Sequence, residues 1–168
     1  AAALTQLGPS YIKLGQFLAT RPDLVGPERA FNLKALQDRL PPFPIEQAKD
    51  IVRVNLGESI EKLFAEFGPP VAAASIAQVH KAKATDGREL AVKILRPGIE
   101  KRFAADLGSF FFAARLIERV STEGRRLRPV AAVQMLEQSM KMELDLRMEA
   151  AALSEMAQNT AGDAGFRV

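Results

Sequence analysis

The stretch Val71-Ala72-Ala73-Ala74-Ser75-Ile76-Ala77-Gln78-Val79-His80, continued to Lys93 as KAKATDGRELAVK, decides the fold. Two alternating runs, Ala77–Ala84 and Glu89–Leu95, flank Thr85-Asp86-Gly87-Arg88. Alternation of apolar and polar residues predicts half-buried strands. Asp-Gly between them predicts a type I′ hairpin, whose two central residues need positive φ. The second strand carries Ala91-Val92-Lys93, and the first is preceded by the small-residue loop Ala72-Ala73-Ala74-Ser75. A tight loop of small residues, a hairpin and a strand lysine together can cradle a nucleotide phosphate. A plain β-hairpin with a snorkelling surface lysine fits these residues equally well.

Composition narrows the function classes. The chain has 168 residues, 48% of them hydrophobic, enough for one good core or a small core with a helical appendage. It has no cysteine and one histidine, so disulfides, thiolate metal sites and a histidine-built zinc site are excluded. Cytosolic exposure fits this better than secretion. A net charge of +3 and a pI near 9.4 permit anionic lipid or nucleotide partners without demanding either. Arg125, Arg126 and Arg128 read as a solvated loop, and the lack of interleaved aromatic residues argues against nucleic-acid binding. No apolar run is long enough to span a bilayer; those at Phe110–Ala114 and Val130–Val133 are soon interrupted by charge. The sequence opens on Ala-Ala-Ala without a basic-then-apolar leader and closes on Phe166-Arg167-Val168, which reads as the start of a strand. Both ends are those expected of a piece of a longer protein.

From Pro9 to about Phe67 the pattern is helical and punctuated by prolines. Pro9 opens a helix that Pro22 closes, and Pro27 opens another running to about Leu40. Pro41-Pro42-Phe43-Pro44 is a stiff extended connector. A helix over 45–56 follows, then a short one reaching Phe67, with the internal boundary at Gly68-Pro69-Pro70. Beyond the hairpin and an Arg96-Pro97-Gly98 turn, long helices are predicted over 99–120 and from Pro129 to near Gln158. The fold class is α+β, with a helical extension over residues 1–68 and a sheet-bearing unit over 69–168.

Three constellations carry possible chemistry. The alanines at 72–74 keep the loop small, although each methyl fixes its shape more than glycine would, and Ser75 offers a hydroxyl to phosphate or metal. Lys93 needs a carboxylate to aim it. Candidates lie on the helical run Glu143-Leu144-Asp145-Leu146-Arg147-Met148-Glu149, where Asp145 and Glu149 fall one turn apart at about 100° per residue. Two carboxylates there repel unless a cation intervenes, but Glu143–Arg147 and Lys141–Asp145 are equally good local pairs on a solvated face. On the first helix, Lys13 and Gln16 share a side, and Gly15 between them invites a close approach, expected against the sheet.

Taken in order, these stretches resemble the ABC1/ADCK/UbiB family of atypical protein-kinase-like proteins, which is associated with ubiquinone biosynthesis. The resemblance rests on Leu7–Gln16, Arg21–Leu24, Leu36-Gln37-Asp38, Pro41–Pro44, Ala72–His80, Ala91-Val92-Lys93 with Arg96–Ile99, and Glu143-Leu144-Asp145. It implies a protein-kinase-like N-lobe preceded by a helical extension. It implies that Lys13 and Gln16 form the family's K-x-G-Q signature, placed near an E-x-D signature made by Glu143 and Asp145. Ala72, Ala73, Ala74 and Ser75 match the family's alanine-rich nucleotide loop, Lys93 its phosphate-pairing lysine and Glu149 the glutamate that holds that lysine. The implied cofactor is ATP or ADP with Mg²⁺, whose ligands lie mostly in a second lobe; no metal ligand is assigned among these residues. The implied function is the nucleotide-binding lobe of a kinase-like ATPase, inactive without the second lobe, with a non-catalytic lipid- or partner-binding pseudokinase scaffold as the alternative. Small-molecule kinases share the two-lobed fold but not the Lys13–Gln16 and Glu143–Asp145 signatures. Implied partners are nucleotide, a quinone-precursor lipid, a membrane surface and quinone-biosynthesis proteins. The implied location is the cytoplasmic face of a bacterial inner membrane, or a mitochondrial counterpart.

Overall fold

The computed structural model describes residues 2–36 and 40–165. Gln37 and Asp38 of the matched stretch, and the strand expected at Phe166, lie outside the described residues. The hairpin strands fall where alternation places them, β2 over Ala77–Ala84 and β3 over Glu89–Leu95. Their turn is not type I′. Only Gly87 has positive φ, at 88°; its N–H donates to the Ala84 carbonyl (2.9 Å), and the Ala84 N–H donates to the Arg88 carbonyl (2.8 Å). This is a three-residue loop with Gly87 as a bulge, which spares Asp86 the left-handed conformation.

The third strand, β1, runs Phe64–Ala73, so the chain is already extended at Phe64 and residue 68 sits inside a strand. The apolar spacing there predicts a helix. Phe64 and Phe67 instead pack against β2, with Phe64 opposite Ala84, and Phe67 stacked on His80 at 4.7 Å between ring centroids. The sheet is antiparallel in the order β1-β2-β3. Pro69 and Pro70 are tolerated because β1 is an edge strand, and the register shifts on both sides of Pro70.

Four helices of the extension, α1 (Ala2–Leu7), α2 (Pro9–Ala19), α3 (Pro22–Val25) and α4 (Pro27–Leu33), precede the proline connector. The helix from Pro27 therefore stops at Leu33, short of Leu40. Next come α5 (Ile45–Leu56) and α6 (Ile60–Leu63), and after the sheet α7 (Ile99–Val120), α8 (Thr122–Leu127), α9 (Pro129–Leu144) and α10 (Leu146–Asn159). The stretch read as an arginine loop is thus mostly the short helix α8. The long second helix is two, broken at Asp145.

Two cores hold these elements. Phe103, Leu107 and Phe110 of α7 meet Val133, Leu136 and Met140 of α9, with Tyr11, Leu14 and Phe17 of α2 against them. Tyr11 sits edge-on to Phe110 at 5.0 Å. Burial of each such side chain contributes about 1.5–3 kcal/mol, so packing decides where α9 lies. The second core joins Ala48 and Val52 of α5 and Ile60 of α6 to Phe43, Phe64, Ala82 and Ile94. So α5 belongs with the sheet, while α2 to α4 belong with the helical layer. Gly15 packs within the extension rather than on the sheet: a Cβ there would come within 2.3 Å of Leu36 Cδ1 and 2.8 Å of Leu4 Cδ1.

One buried amide ties the connector to the sheet. Within Pro41–Pro44 only Phe43 has a backbone N–H, and it donates to Gln78 Oε1 at 2.9 Å. Gln78 Nε2 donates in turn to the Phe43 carbonyl (3.3 Å) and to His80 Nε2 (2.9 Å). His80 Nδ1 faces the Gly68 carbonyl at 2.9 Å. A carbonyl only accepts, so Nδ1 carries the ring hydrogen and Nε2 accepts. Both side chains are fully buried, at 1% and 0% exposure. Replacing the amide by an isosteric hydrocarbon, Gln78→Leu, strands two backbone groups of Phe43 and a ring nitrogen of His80. We expect urea unfolding to show a loss of about 3 kcal/mol, and a loss under about 1 kcal/mol would remove this amide as the tie.

Candidate functional site

The pairings Ala72↔Val79 and Val79↔Lys93 put Ala72, Val79 and Lys93 in one row across the sheet. Residues directly opposite in neighbouring strands share a face. Gln78, His80, Ala82 and Ile94 alternate to the other face, which α5 and the connector cover. Lys93 therefore stands on the open side of the sheet beside the alanine-rich loop. The sequence calls for a carboxylate to aim it, and the structure supplies Glu149: Lys93 Nζ lies 2.5 Å from Glu149 Oε2. Both side chains are well exposed, at 36% and 49%, so the pair contributes under about 1 kcal/mol to stability. It orients the lysine more than it holds the fold.

Glu149 reaches this position because the helix breaks. Asp145 has φ −91° and ψ 85°, outside the helical region, and its side chain accepts the Arg147 N–H as an N-cap. The Arg147 guanidinium also grips Asp145 with two contacts of 2.8 Å. That guanidinium holds the Asp145 carboxyl below the usual carboxylate range, so its charge is retained to lower pH. The expectation that Asp145 and Glu149 stack one turn apart on a single helix is thus corrected: Asp145 is a cap, and each carboxylate has its own cation, Arg147 for Asp145 and Lys93 for Glu149. Neither local pair proposed from the spacing forms. Glu143 pairs with Lys13 at 2.7 Å, and Lys141 pairs with Glu137 at 2.7 Å.

The Lys13–Glu143 pair links α2 to the end of α9. Its lysine is only 13% exposed, so this contact lies in a drier setting than that of Lys93. Two further contacts seat the extension on the helical layer: Arg102 Nη2 donates to the Leu7 carbonyl at 2.8 Å, and Arg21 Nη1 approaches Met135 Sδ at 3.6 Å. Gln16 is half-buried on the same helix as Lys13.

The loop before β2 is fixed by a residue that the sequence reading passed over as part of a turn. Arg96 donates its backbone N–H to the Ile76 carbonyl (2.8 Å), its Nε to the Ala74 carbonyl (2.9 Å) and its Nη2 to the Pro41 carbonyl (2.9 Å). It spans loop and connector from just beyond Lys93. Within the loop Ala72 is exposed, Ala73 and Ala74 are half-buried, and Ser75 is fully buried, so its side chain is not offered to the open face. Arg147, which the spacing pairs with Glu143, grips Asp145 at the helix break instead. In both cases a charge next to a turn gives no hint of a partner distant in sequence or of a helix break.

A cavity of about 880 Å³ opens at the edge of β3, between α5, α7 and the α9–α10 break. Lys93, Asp145 and Arg147 line it with Leu95, Phe103 and Leu144; neither the alanine loop nor Glu149 does. The arrangement offers a cation on an open sheet face, a carboxylate that aims it and a rigid small-residue loop, which suits a phosphate-bearing ligand. Among the described residues no group of three His, Asp or Glu side chains could hold a metal ion.

Comparisons with known proteins bear on the family and the fold. The family model described as the ABC1 atypical kinase-like domain matches residues 35–168. The chain is 49% identical over 158 residues to a probable protein kinase UbiB of Marinobacter nauticus, covering 94% of this chain and 29% of that protein. It is 47% identical over 161 residues to a protein of the same name from Pseudomonas aeruginosa, covering 95% of this chain and 30% of the relative. A solved complex of Rv3197 with erythromycin from Mycobacterium tuberculosis is similar at TM-score 0.57 and 34% identity, over 93% of this chain and 39% of that one. The chain thus spans less than a third of the length of these curated relatives. With its three-stranded antiparallel sheet and kinase-like helices, this chain belongs to the ABC1 family of atypical kinase-like domains.

Proposed function

We infer that the chain forms the nucleotide-binding small lobe of an atypical kinase-like ATPase that supports isoprenoid quinone (ubiquinone) biosynthesis at a membrane. The observation that carries this reading is the Lys93–Glu149 pair at 2.5 Å, on the open face of the sheet beside Ala72. A lysine so held neutralises phosphate charge without swinging away. ATP or ADP would lie against Ala72–Ser75 with its phosphates toward Lys93. Mg²⁺ would accompany the nucleotide as a charge-neutralising bridge, its protein ligands drawn from outside the described residues. The lobe alone would not complete phosphoryl transfer, because the metal-holding carboxylates have to come from the rest of the longer protein. The extension, locked by Lys13–Glu143, would cover the Glu143–Asp145 signature and restrict access to it. A cytoplasmic membrane face, quinone-precursor lipids and quinone-biosynthesis proteins complete the reading, which the family membership supports.

One observation favours the alternative of a non-catalytic lipid- or partner-binding scaffold: the Ser75 side chain is buried instead of facing the open site. Nucleotide binding separates the two. In the full-length protein, Mg²⁺ with ATP or ADP at a hundredfold excess over Kd should stabilise the fold by about 2.7 kcal/mol. We expect Lys93→Ala to abolish the corresponding rise in Tm; an unchanged rise in the variant would sink the role of Lys93, and no rise in the parent would favour the scaffold.

The covering role of the extension has its own readout. Glu143→Gln weakens a partly buried ion pair by about 1 kcal/mol, which should speed hydrogen exchange at the amides of α2 about fivefold while leaving β2 unchanged. Equal protection of α2 in the parent and the variant would show that the pair does not hold the extension down.

A further inference from the structure

The second half of α7 has an outward face that the nucleotide reading does not use. Phe112, Leu116 and Val120 recur at four-residue spacing and are exposed by 70%, 48% and 72%. Arg115 and Arg119 fall on the same side, at the three-residue offsets that make one helix face. Between Phe111 and Arg128 there are five arginines and two glutamates, a net +3 equal to that of the whole chain. The remaining residues sum to zero, although the stretch from Lys81 to Arg102 is also locally positive. Glu123 is taken up by Arg126 at 2.6 Å, and Glu118 accepts the Val130 N–H at the start of α9 (3.1 Å). Only Arg126 of the five is in an ion pair among the described residues: Arg115 lies over the Phe111 ring at 5.4 Å, Arg125 Nε donates to the Glu118 carbonyl (3.2 Å), and Arg119 and Arg128 make no side-chain ion pair.

A cavity of about 290 Å³ lies behind this face, between the extension and α7 to α9. Leu14, Phe17, Leu24, Val25, Ile117 and Leu127 line it, and all its other lining residues are likewise apolar or glycine. It offers water no hydrogen-bond partner, and it has about twice the ~150 Å³ of an apolar cavity that stays dry and binds benzene. Ala113 and Ile117 both line the cavity and are exposed, so it opens beside the Phe112–Val120 stripe. Leu127, also in its lining, is flanked by Arg126 and Arg128.

We propose that the outer face of α7, with the arginines of α8 and the cavity behind it, is a docking site for an anionic phospholipid surface. The arginines meet the headgroup phosphates, Phe112, Leu116 and Val120 enter the acyl boundary, and the end of one acyl chain fits the cavity. An exposed stripe of apolar residues interleaved with arginine has the chemistry of a helix lying in a lipid interface. A core-facing helix would not call for the uncompensated positive charge. This inference rests on the membrane association proposed above and adds the surface that makes the contact.

Co-sedimentation of the full-length protein tests it, with vesicles of phosphatidylcholine alone and of phosphatidylcholine mixed with phosphatidylglycerol. Arg119→Gln combined with Arg128→Asn removes two of the four arginine charges that form no ion pair, and asparagine keeps the left-handed conformation (φ 51°) found at Arg128. Phe112→Ser with Val120→Ser removes apolar contact at exposed positions. Mg²⁺-nucleotide thermal stabilisation checks that each variant is folded. The parent should enrich on the anionic vesicles and lose that enrichment at high salt; the arginine variant should bind about thirtyfold more weakly. The serine variant should bind about tenfold more weakly. Variants that sediment like the parent overturn the surface assignment. A parent that shows no enrichment overturns membrane association itself. Variants that bind normally but melt lower would place this face against another part of the same protein, which also overturns the proposal.

Discussion

The Gln78 amide is the constraint on which the site depends. Its two ends are taken by the only N–H donor in Pro41–Pro44 and by the His80 ring, whose other nitrogen reaches Gly68 of β1. Connector, edge strand and central strand are thereby held at one point on the covered face of the sheet. Because side chains alternate, fixing that face also fixes the opposite one, where Ala72, Val79 and Lys93 line up. A slip of one residue would bury Lys93 and expose the polar cluster, and the cost of stranding several buried polar groups forbids it.

The second organising event is the break between α9 and α10. A continuous helix would spread Glu143, Asp145 and Glu149 around one axis. Capping by Asp145, reinforced by Arg147, lets α9 deliver Glu143 to Lys13 while α10 delivers Glu149 to Lys93. Since α10 buries no side chain, its ion pair with β3 is one of few ties that set its direction. One short acidic motif thus addresses two lysines from two different elements.

Much of this was legible in the sequence. Period-two alternation placed β2 and β3 to the residue, and proline and glycine punctuation placed α5 and α7. What failed did so for identifiable reasons. Phe64 and Phe67 look like the apolar face of a helix, and only cross-strand packing against His80 and Ala84 makes that stretch a strand. The break at Asp145 is invisible because aspartate followed by leucine and arginine is compatible with a helix, and the cap depends on a bidentate grip within the chain's own next residues. The Arg96 clamp joins segments 55 positions apart, a distance over which no local pattern carries information.

The prolines of β1 set a direction on the sheet. Pro69 and Pro70 remove two consecutive N–H groups from β1, and the shifts in register there bend the strand away from a regular ladder. A foreign strand finds no continuous row of donors on that side, so end-to-end association of sheets between molecules is discouraged there. The edge of β3 has no such guard: Glu89–Leu95 contains no proline, and the large cavity opens beside it. A strand that joins this sheet, from the same polypeptide or another, meets less obstruction at β3 than at β1.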